Sequence, residues 1–304
     1  MFKSLLYWLG VLFFILFVHF GISYLSIDTI IKDKISLLYL LIIFLAGLTI
    51  IGGKKGVKTI LTLIFTILII FQVLLPMILN GYNPIAVSII ASSLVIIVTL
   101  LIISGVNKKT LSAIIGTTGG VTIAGFLALI VGYMADLSGL GNEESIHLIL
   151  FTRDIDFKGL LFAGIIIGSM GAVMDVGMSI SSAMQEIAIA NPQITTEKLI
   201  AAGMNIGRDI MGTMANTLIL AYVGASLNLM LFLTVYEPSL VQILVKDNIN
   251  SEIVRSLAGS IGLIFTVPIT AVVSGFLRNR KFCLPMSNYI MAKENDEAPS
   301  LKKG

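Results

Sequence analysis

Apolar residues run along this chain in blocks about as long as a bilayer is thick, and polar residues are confined to short interruptions between them. A helix rises about 1.5 Å per residue, so about 20 apolar residues cross a hydrocarbon core of about 30 Å. The pattern predicts eight spans, at 5–25, 35–51, 57–79, 84–104, 111–133, 160–184, 210–235 and 253–277. The interruptions have physical causes. "GGKKG" at 52–56 joins flexible glycines to two lysines that cannot stay in hydrocarbon. "NGYNP" at 80–84 reads as a turn, with Pro84 suited to a first helical position. "NKKT" at 107–110 and the acidic stretch 136–158 close the fourth and fifth spans.

Composition turns this pattern into a fold class. Hydrophobic residues make up 57% of the 304, charged residues only 12%, and mean hydropathy is +1.01. Soluble domains carry about 25% charged residues to cover their surface. This chain has half that supply, which predicts an all-α, polytopic membrane protein whose natural surroundings are a lipid bilayer. The net charge of +3 is too small and too dispersed to suggest nucleic acid. One cysteine, Cys283, forms no internal disulfide. The N-terminal apolar run is too long for a signal h-region and lacks a small-residue cleavage site, so it reads as an uncleaved span.

Lysine and arginine set the expected orientation. With both termini cytoplasmic, the inside receives Lys3, Lys54, Lys55, Lys58, Lys108, Lys109, Lys198, Arg208 and the basic residues of the tail from Arg278 to Lys303. The outside receives only Lys32, Lys34, Arg153, Lys158 and Lys246, with Arg255 at the head of the last span. The positive-inside rule therefore favours an even number of spans with cytoplasmic ends, in a bacterial cytoplasmic membrane. Three regions follow: apolar, lipid-facing helices over 1–110, a polar-motif core over 111–277, and a basic cytoplasmic tail over 278–304.

The polar core carries the candidate chemistry. In "GSMGAVMDVGMSISS", 168–182, Asp175, Ser179, Ser182 and Glu186 recur at helical spacing on one stripe, with Gly164, Gly168 and Gly171 on or beside it. A charge at bilayer depth costs about 2.5–3.5 kcal/mol on insertion scales, so the stripe faces protein or water rather than lipid. A carboxyl there suits a site that binds and releases a proton or cation; the alternative is a static contact between helices. In "GMNIGRDIMGTMANTLILAY", 203–222, Asn205, Arg208 and Asp209 mark the cytoplasmic start of the seventh span, and Asp209, Thr213 and Asn216 continue inward on one face. Asp209 also suits a helix dipole, and Arg208 an interfacial anchor. Asn216, a deep amide, is expected to donate to Asp175.

Other features are more ambiguous. "SEIVRSLAGSIGLIFTVPIT", 251–270, reads as a span capped by Ser251, with Arg255, Gly259, Gly262 and Thr266 on a stripe and Pro268 freeing a carbonyl near Ile264. Arg255 is either a site residue at the outer mouth or a snorkelling anchor. "GTTGGVTIAG", 116–125, is either an unwound pore-lining segment or a tight packing surface. His19 reads as packed or interfacial. His147 with Glu143 and Glu144 has metal-ligand chemistry, but a plain polar loop explains it, and neither metal nor cofactor is expected. No nucleophile–base pair stands out, so an intramembrane enzyme ranks last.

"GAVMDVGMSISSAMQEI", "AGMNIGRDIMGTMANTLILAY" and "EIVRSLAGSIGLIFTVPITA" together resemble the YibE/F-like family of bacterial multi-span membrane proteins, over roughly 111–277. This chain would be a short member, without the sizeable external segment of longer ones. The same blocks also resemble a six-helix half of the RND permease superfamily, SecD/SecF- and MMPL-like, in which a G-x-x-x-D span precedes a similar segment; Gly171 and Asp175 match that spacing. That resemblance implies Asp175 as a proton-relay carboxyl, Asn216 as its partner, and pairing of the chain with itself or a paralogue. The expected function is an ion- or proton-coupled transporter or channel for a small solute or ion. The alternative is a non-transporting scaffold or assembly factor that binds another membrane protein.

Overall fold

The computed structural model describes residues 29–141, 143–151, 155–236 and 246–279. The first expected span, His19, Cys283 and the tail from 280 lie outside them. Every element among the described residues is helical: α1 (Thr29–Ile69), a π-helical turn (Ile70–Leu74), α2 (Leu75–Leu79), α3 (Pro84–Ser104), α4 (Lys108–Met134), α5 (Glu143–Phe151), α6 (Phe157–Ala190), α7 (Thr196–Ala225), α8 (Leu227–Tyr236) and α9 (Asp247–Asn279). Among the described residues, five helical stretches are long and apolar enough to cross a membrane, or six if the bent pair α7–α8 counts as one span. The chain divides into two compact units, residues 1–64 and 65–304.

In the first unit, "GGKKG" produces the expected break. Gly53 leaves helical geometry at φ 53° and ψ −132°. A side chain on Gly56 would collide with the Leu48 carbonyl, although eight residues of straight helix would separate them by about 12 Å. The chain therefore bends sharply between 48 and 56. Leu37, Leu40, Ile51 and Leu61 on α1 are exposed, as lipid-facing residues are.

In the second unit, the helix starts follow local capping chemistry. The Asn83 side chain accepts from the Ile85 and Ala86 N–H groups, with Pro84 in the first turn. Asn107, after Gly105 at φ 75°, accepts from the Thr110 N–H at 2.8 Å. Asp156 accepts from the Gly159 N–H and Thr195 from that of Lys198. The π turn precedes Pro76 and closes with Leu75 N–H donating to the Ile70 carbonyl. Each satisfies backbone groups that hydrocarbon would leave stranded.

Four helices form the core. α6 and α9 run parallel and touch, and α4 and α7 each pack antiparallel against both. The α4–α9 contact is an unbroken antiparallel register. The Lys108 ammonium donates to the Arg278 carbonyl at 3.3 Å at one end, and Ser138 donates to Asp247 through Oγ at 2.7 Å at the other. Between them Gly116 lies against Thr270, Gly120 against Thr266 and Gly262, and Gly262 against Ala124. On its other side α4 sets Gly125 against Ile166, Gly132 against Phe162, and Thr117 against Gly177. Ile96, Leu100, Val121, Ile166, Val173, Val176, Ile180, Leu263 and Val267 fill the space between.

Several sequence expectations are corrected. Of the two readings of "GTTGGVTIAG", the tight packing surface is the one found: α4 is continuous, and its glycines are where neighbouring backbones approach. α3, expected to face lipid, packs on α6 and α4 and buries Val87, Ala91, Val95, Ile96 and Leu100. α9 begins at Asp247 rather than at a Ser251 cap; Ser251 lies inside it and donates to the Asn248 carbonyl. The seventh span is not one straight helix from 210: α7 starts at Thr196, and α8 departs from it at 63° around Ser226.

Gly262→Val adds atoms where even a Cβ would sit 2.6 Å from the Ala124 Cβ and 2.7 Å from the Gly120 carbonyl oxygen. The expected cost is about 1–3 kcal/mol. Thermal unfolding of the detergent-solubilised protein checks this as a lowered midpoint. Gly47→Ala, in a place with nothing within 4 Å, leaves the midpoint unchanged or slightly higher.

Candidate functional site

α6 divides its residues cleanly between two faces. Phe162, Ile165, Ile166, Ser169, Val173, Val176 and Ile180 are buried in the core. Gly164, Gly168, Gly171, Asp175 and Ser179 are exposed, so the stripe read from sequence exists and is open. Nothing lies within 4 Å of a Cβ placed on Gly164 or Gly171. Asp175 sits near the middle of a 34-residue helix. Among the described residues it has neither a hydrogen bond nor an ion pair, and the same holds for Ser179. Ser182 is half-buried, and Glu186 is exposed near the end of the helix.

α7 is built the same way. Leu199, Gly203, Gly207 and Leu218 are buried, with Gly203 against Met184 and Gly207 against Ile180 and Val267. Asn205, Arg208, Asp209, Gly212, Thr213, Asn216 and Thr217 are exposed. Arg208 donates to Asn205 Oδ1 at 3.2 Å, which holds its guanidinium beside the first turns of α7 rather than against Asp209. Thr213 and Thr217 return their hydroxyls to the backbone of their own helix, at 3.0 and 2.9 Å. The expected bond between Asn216 and Asp175 is not made: both residues sit on open faces, and Asn216 has no partner among the described residues. The structure thus places Asp175 with Ser179 and Thr213 with Asn216, on two helices in contact, without joining the pairs.

Arg255 belongs to a different place. It pairs with Glu252 at 3.1 Å one turn away on α9, and the two line a cavity of about 450 Å³ with Tyr222, Asn228 and Asn248. The cavity opens where α8 bends away from α7. The Tyr222 hydroxyl is buried without a hydrogen-bond partner and lies over Gly168, where a Cβ would approach it to 2.6 Å. Only glycine leaves room for it. Gly168 is also on the open stripe, about 10 Å along α6 from Asp175. Sequence reasoning missed Tyr222 and Glu252. The weak signal was the cluster of small and polar residues "GASLN", 224–228, inside an otherwise apolar span.

The remaining candidates lie apart. His147 is exposed on α5, and of Glu143 and Glu144 only the backbone is described. Among the described residues no group of three His, Cys, Asp or Glu is arranged to hold a metal ion.

These features define a multi-pass helical membrane protein with a carboxyl near the middle of a long apolar helix, on an open small-residue face. The YibE/F-like protein family matches residues 40–280, most of the chain, and the protein belongs to that family. No curated protein and no solved structure matches it.

Cysteine scanning distinguishes the two faces of α6 in a Cys283→Ser background. Cysteines at 171, 175 and 179 are expected to react with a water-soluble maleimide in intact membranes. Those at 173, 176 and 180, in the packed core, are expected to be protected.

Proposed function

We propose that this protein is an ion- or proton-coupled membrane transporter or channel in which Asp175 is the titratable site. One observation supports this most directly: a carboxyl in the middle of a long apolar helix stands on an open face lined by glycines and serine, with no partner among the described residues. A structural aspartate at this depth would be paired, because an unpaired charge in hydrocarbon is costly. An aspartate that exchanges a proton or cation needs the reverse, an accessible face and no permanent partner. Ser179 lies one turn beyond it, while Thr213 and Asn216 on α7 offer further polar groups for a solute or ion path. The cavity at Tyr222, Glu252 and Arg255, beside a broken helix, is the vestibule at the outer end; discontinuous helices commonly flank transport sites.

In this reading the protein has eight spans. The bend at Gly53 separates the second from the third, α7 with α8 forms the seventh, and residues 5–25 supply the first. Both termini are then cytoplasmic, and the membrane is the bacterial cytoplasmic one. Open polar faces on α6 and α7 need cover in a bilayer, which a second copy of the chain or a paralogue would provide. The same openness supports the other reading, a scaffold whose α6–α7 face binds a different membrane protein; an intramembrane enzyme has less support than either.

Flux measurements in proteoliposomes separate these readings. Asp175→Asn is expected to lower proton- or cation-driven flux at least tenfold, with Asp175→Glu retaining part of it. Unchanged flux in Asp175→Asn would remove the carboxyl from the mechanism. A stoichiometric foreign subunit that co-purifies with the protein and is lost in Asp175→Ala would favour the scaffold.

A further inference from the structure

The cavity of about 450 Å³ where α8 leaves α7 holds an ion pair that is only half used. Glu252 and Arg255 line it, together with Tyr222, Ser226, Asn228 and Asn248. Their pairing engages one oxygen and one nitrogen, Glu252 Oε1 and Arg255 Nη1, at 3.1 Å. Arg255 Nε is buried with no hydrogen-bond partner, and so is the Tyr222 hydroxyl. The side-chain amides of Asn228 and Asn248 make no hydrogen bond among the described residues. Buried polar groups are hydrogen-bonded as a rule, and those that are not call for a water, an ion or a ligand.

A smaller pocket, apolar and about 130 Å³ in volume, adjoins this cavity. The two share Tyr222, Ser226, Leu229 and Glu252. Val223, Met230 and Leu233 complete the apolar pocket on one side, and Ile249 and Ile253 of α9 on the other. At the roughly 30 Å³ that a water occupies in the liquid, it holds about four non-hydrogen atoms. The charges in the polar part balance. A ligand with a single charge would be attracted by one member of the pair and repelled by the other. A ligand that carries both signs a few ångströms apart meets each with its opposite.

We propose that these joined pockets bind a zwitterionic α-amino acid with a medium-sized apolar side chain, such as leucine or methionine. The ammonium meets the free oxygen of Glu252, and the carboxylate meets the remaining N–H groups of Arg255, whose planar fork suits a carboxylate. The amides of Asn228 and Asn248 supply further donors and acceptors, and the side chain enters the apolar pocket. A few placed polar groups beside an apolar wall are the usual composition of a small-molecule site. Binding here requires neither Asp175 nor coupling, so it goes beyond the transport reading, in which such a ligand would be the solute.

Isothermal titration calorimetry of the full-length protein in a neutral detergent tests it, with L-leucine as the probe. Saturable binding is expected, at least tenfold tighter than that of L-alanine, which leaves the apolar pocket empty. Leucinol lacks the carboxylate and isocaproate lacks the ammonium; each is expected to bind at least tenfold more weakly than leucine. Glu252→Gln combined with Arg255→Gln removes both charges together and strands neither. This double variant is expected to keep the unfolding midpoint of the unliganded protein and to bind leucine at least tenfold more weakly. Leu233→Trp fills the apolar pocket without touching the lining of the polar cavity, and is expected to abolish the preference for leucine over alanine. Asp175→Asn is expected to bind leucine as the unaltered protein does, whatever its flux. The ligand comparisons use the unaltered protein and decide the question even where the double variant does not fold. No saturation by leucine, equal binding of leucinol or isocaproate, undiminished binding in the folded double variant, or loss of binding in Asp175→Asn would each overturn the proposal.

Discussion

The architecture depends on how closely α4 approaches α9. Water does not drive helices together inside a bilayer, because lipid tails are as apolar as leucine; contact must come from packing and from polar groups that satisfy one another. Gly116, Gly120 and Gly262 remove the side chains that would hold the two backbones apart, and Thr270, Thr266 and Ala124 fill the remaining space. The bonds at the two ends of this seam, Lys108 to Arg278 and Ser138 to Asp247, leave its register no freedom to slip by a turn. With α4 and α9 fixed, α6 packs against both, and α7 packs on the opposite side of the α6–α9 pair.

This seam also explains which polar groups are free for chemistry. The hydroxyls of Thr117 and Thr266 bond back to carbonyls one turn earlier, at 2.6 and 2.9 Å, whereas those of Thr118 and Thr270 are buried without a hydrogen-bond partner among the described residues. α6 and α7 differ. Each spends its small residues on two separate faces, one packed into the core and one open, and the carboxyls are on the open faces. Placing Asp175 opposite Val173 and Val176 rather than among them keeps a charge out of the densest part of the protein.

Local chemistry was legible in the sequence, and chemistry between helices was not. "NGYNP" announced a helix start and "NKKT" a helix end, because a proline or a polar turn acts over three or four residues. Asp175 was visible because one carboxyl in an apolar run has no local explanation. The burial of α3 was invisible: a helix apolar all round looks the same against lipid as against protein. The start of α7 at Thr196 was missed because a hydropathy window sees only the apolar part of a helix, although Thr195 and Glu197 carry a capping signature. Tyr222 could not be paired with Gly168 in advance, because that contact depends on the rotation of α7 against α6.

The two ends of the bundle handle charge in opposite ways. At the end holding Asp136, Asp247 and Glu252, cations meet acids or rings: Arg255 pairs with Glu252, and Lys158 lies 3.8 Å from Asp136 and over the Tyr133 ring. At the end holding Lys108, Lys109 and Arg278, the Lys108 and Arg278 side chains donate to backbone carbonyls. Asp175 lies between these ends, on the open face of α6, whose last turns help line a cavity with Lys109 and Arg278 and whose Gly168 seats Tyr222 toward the other end. α7 and α9 line the cavities at both ends, with Leu199 and Arg278 at one and Tyr222 and Arg255 at the other.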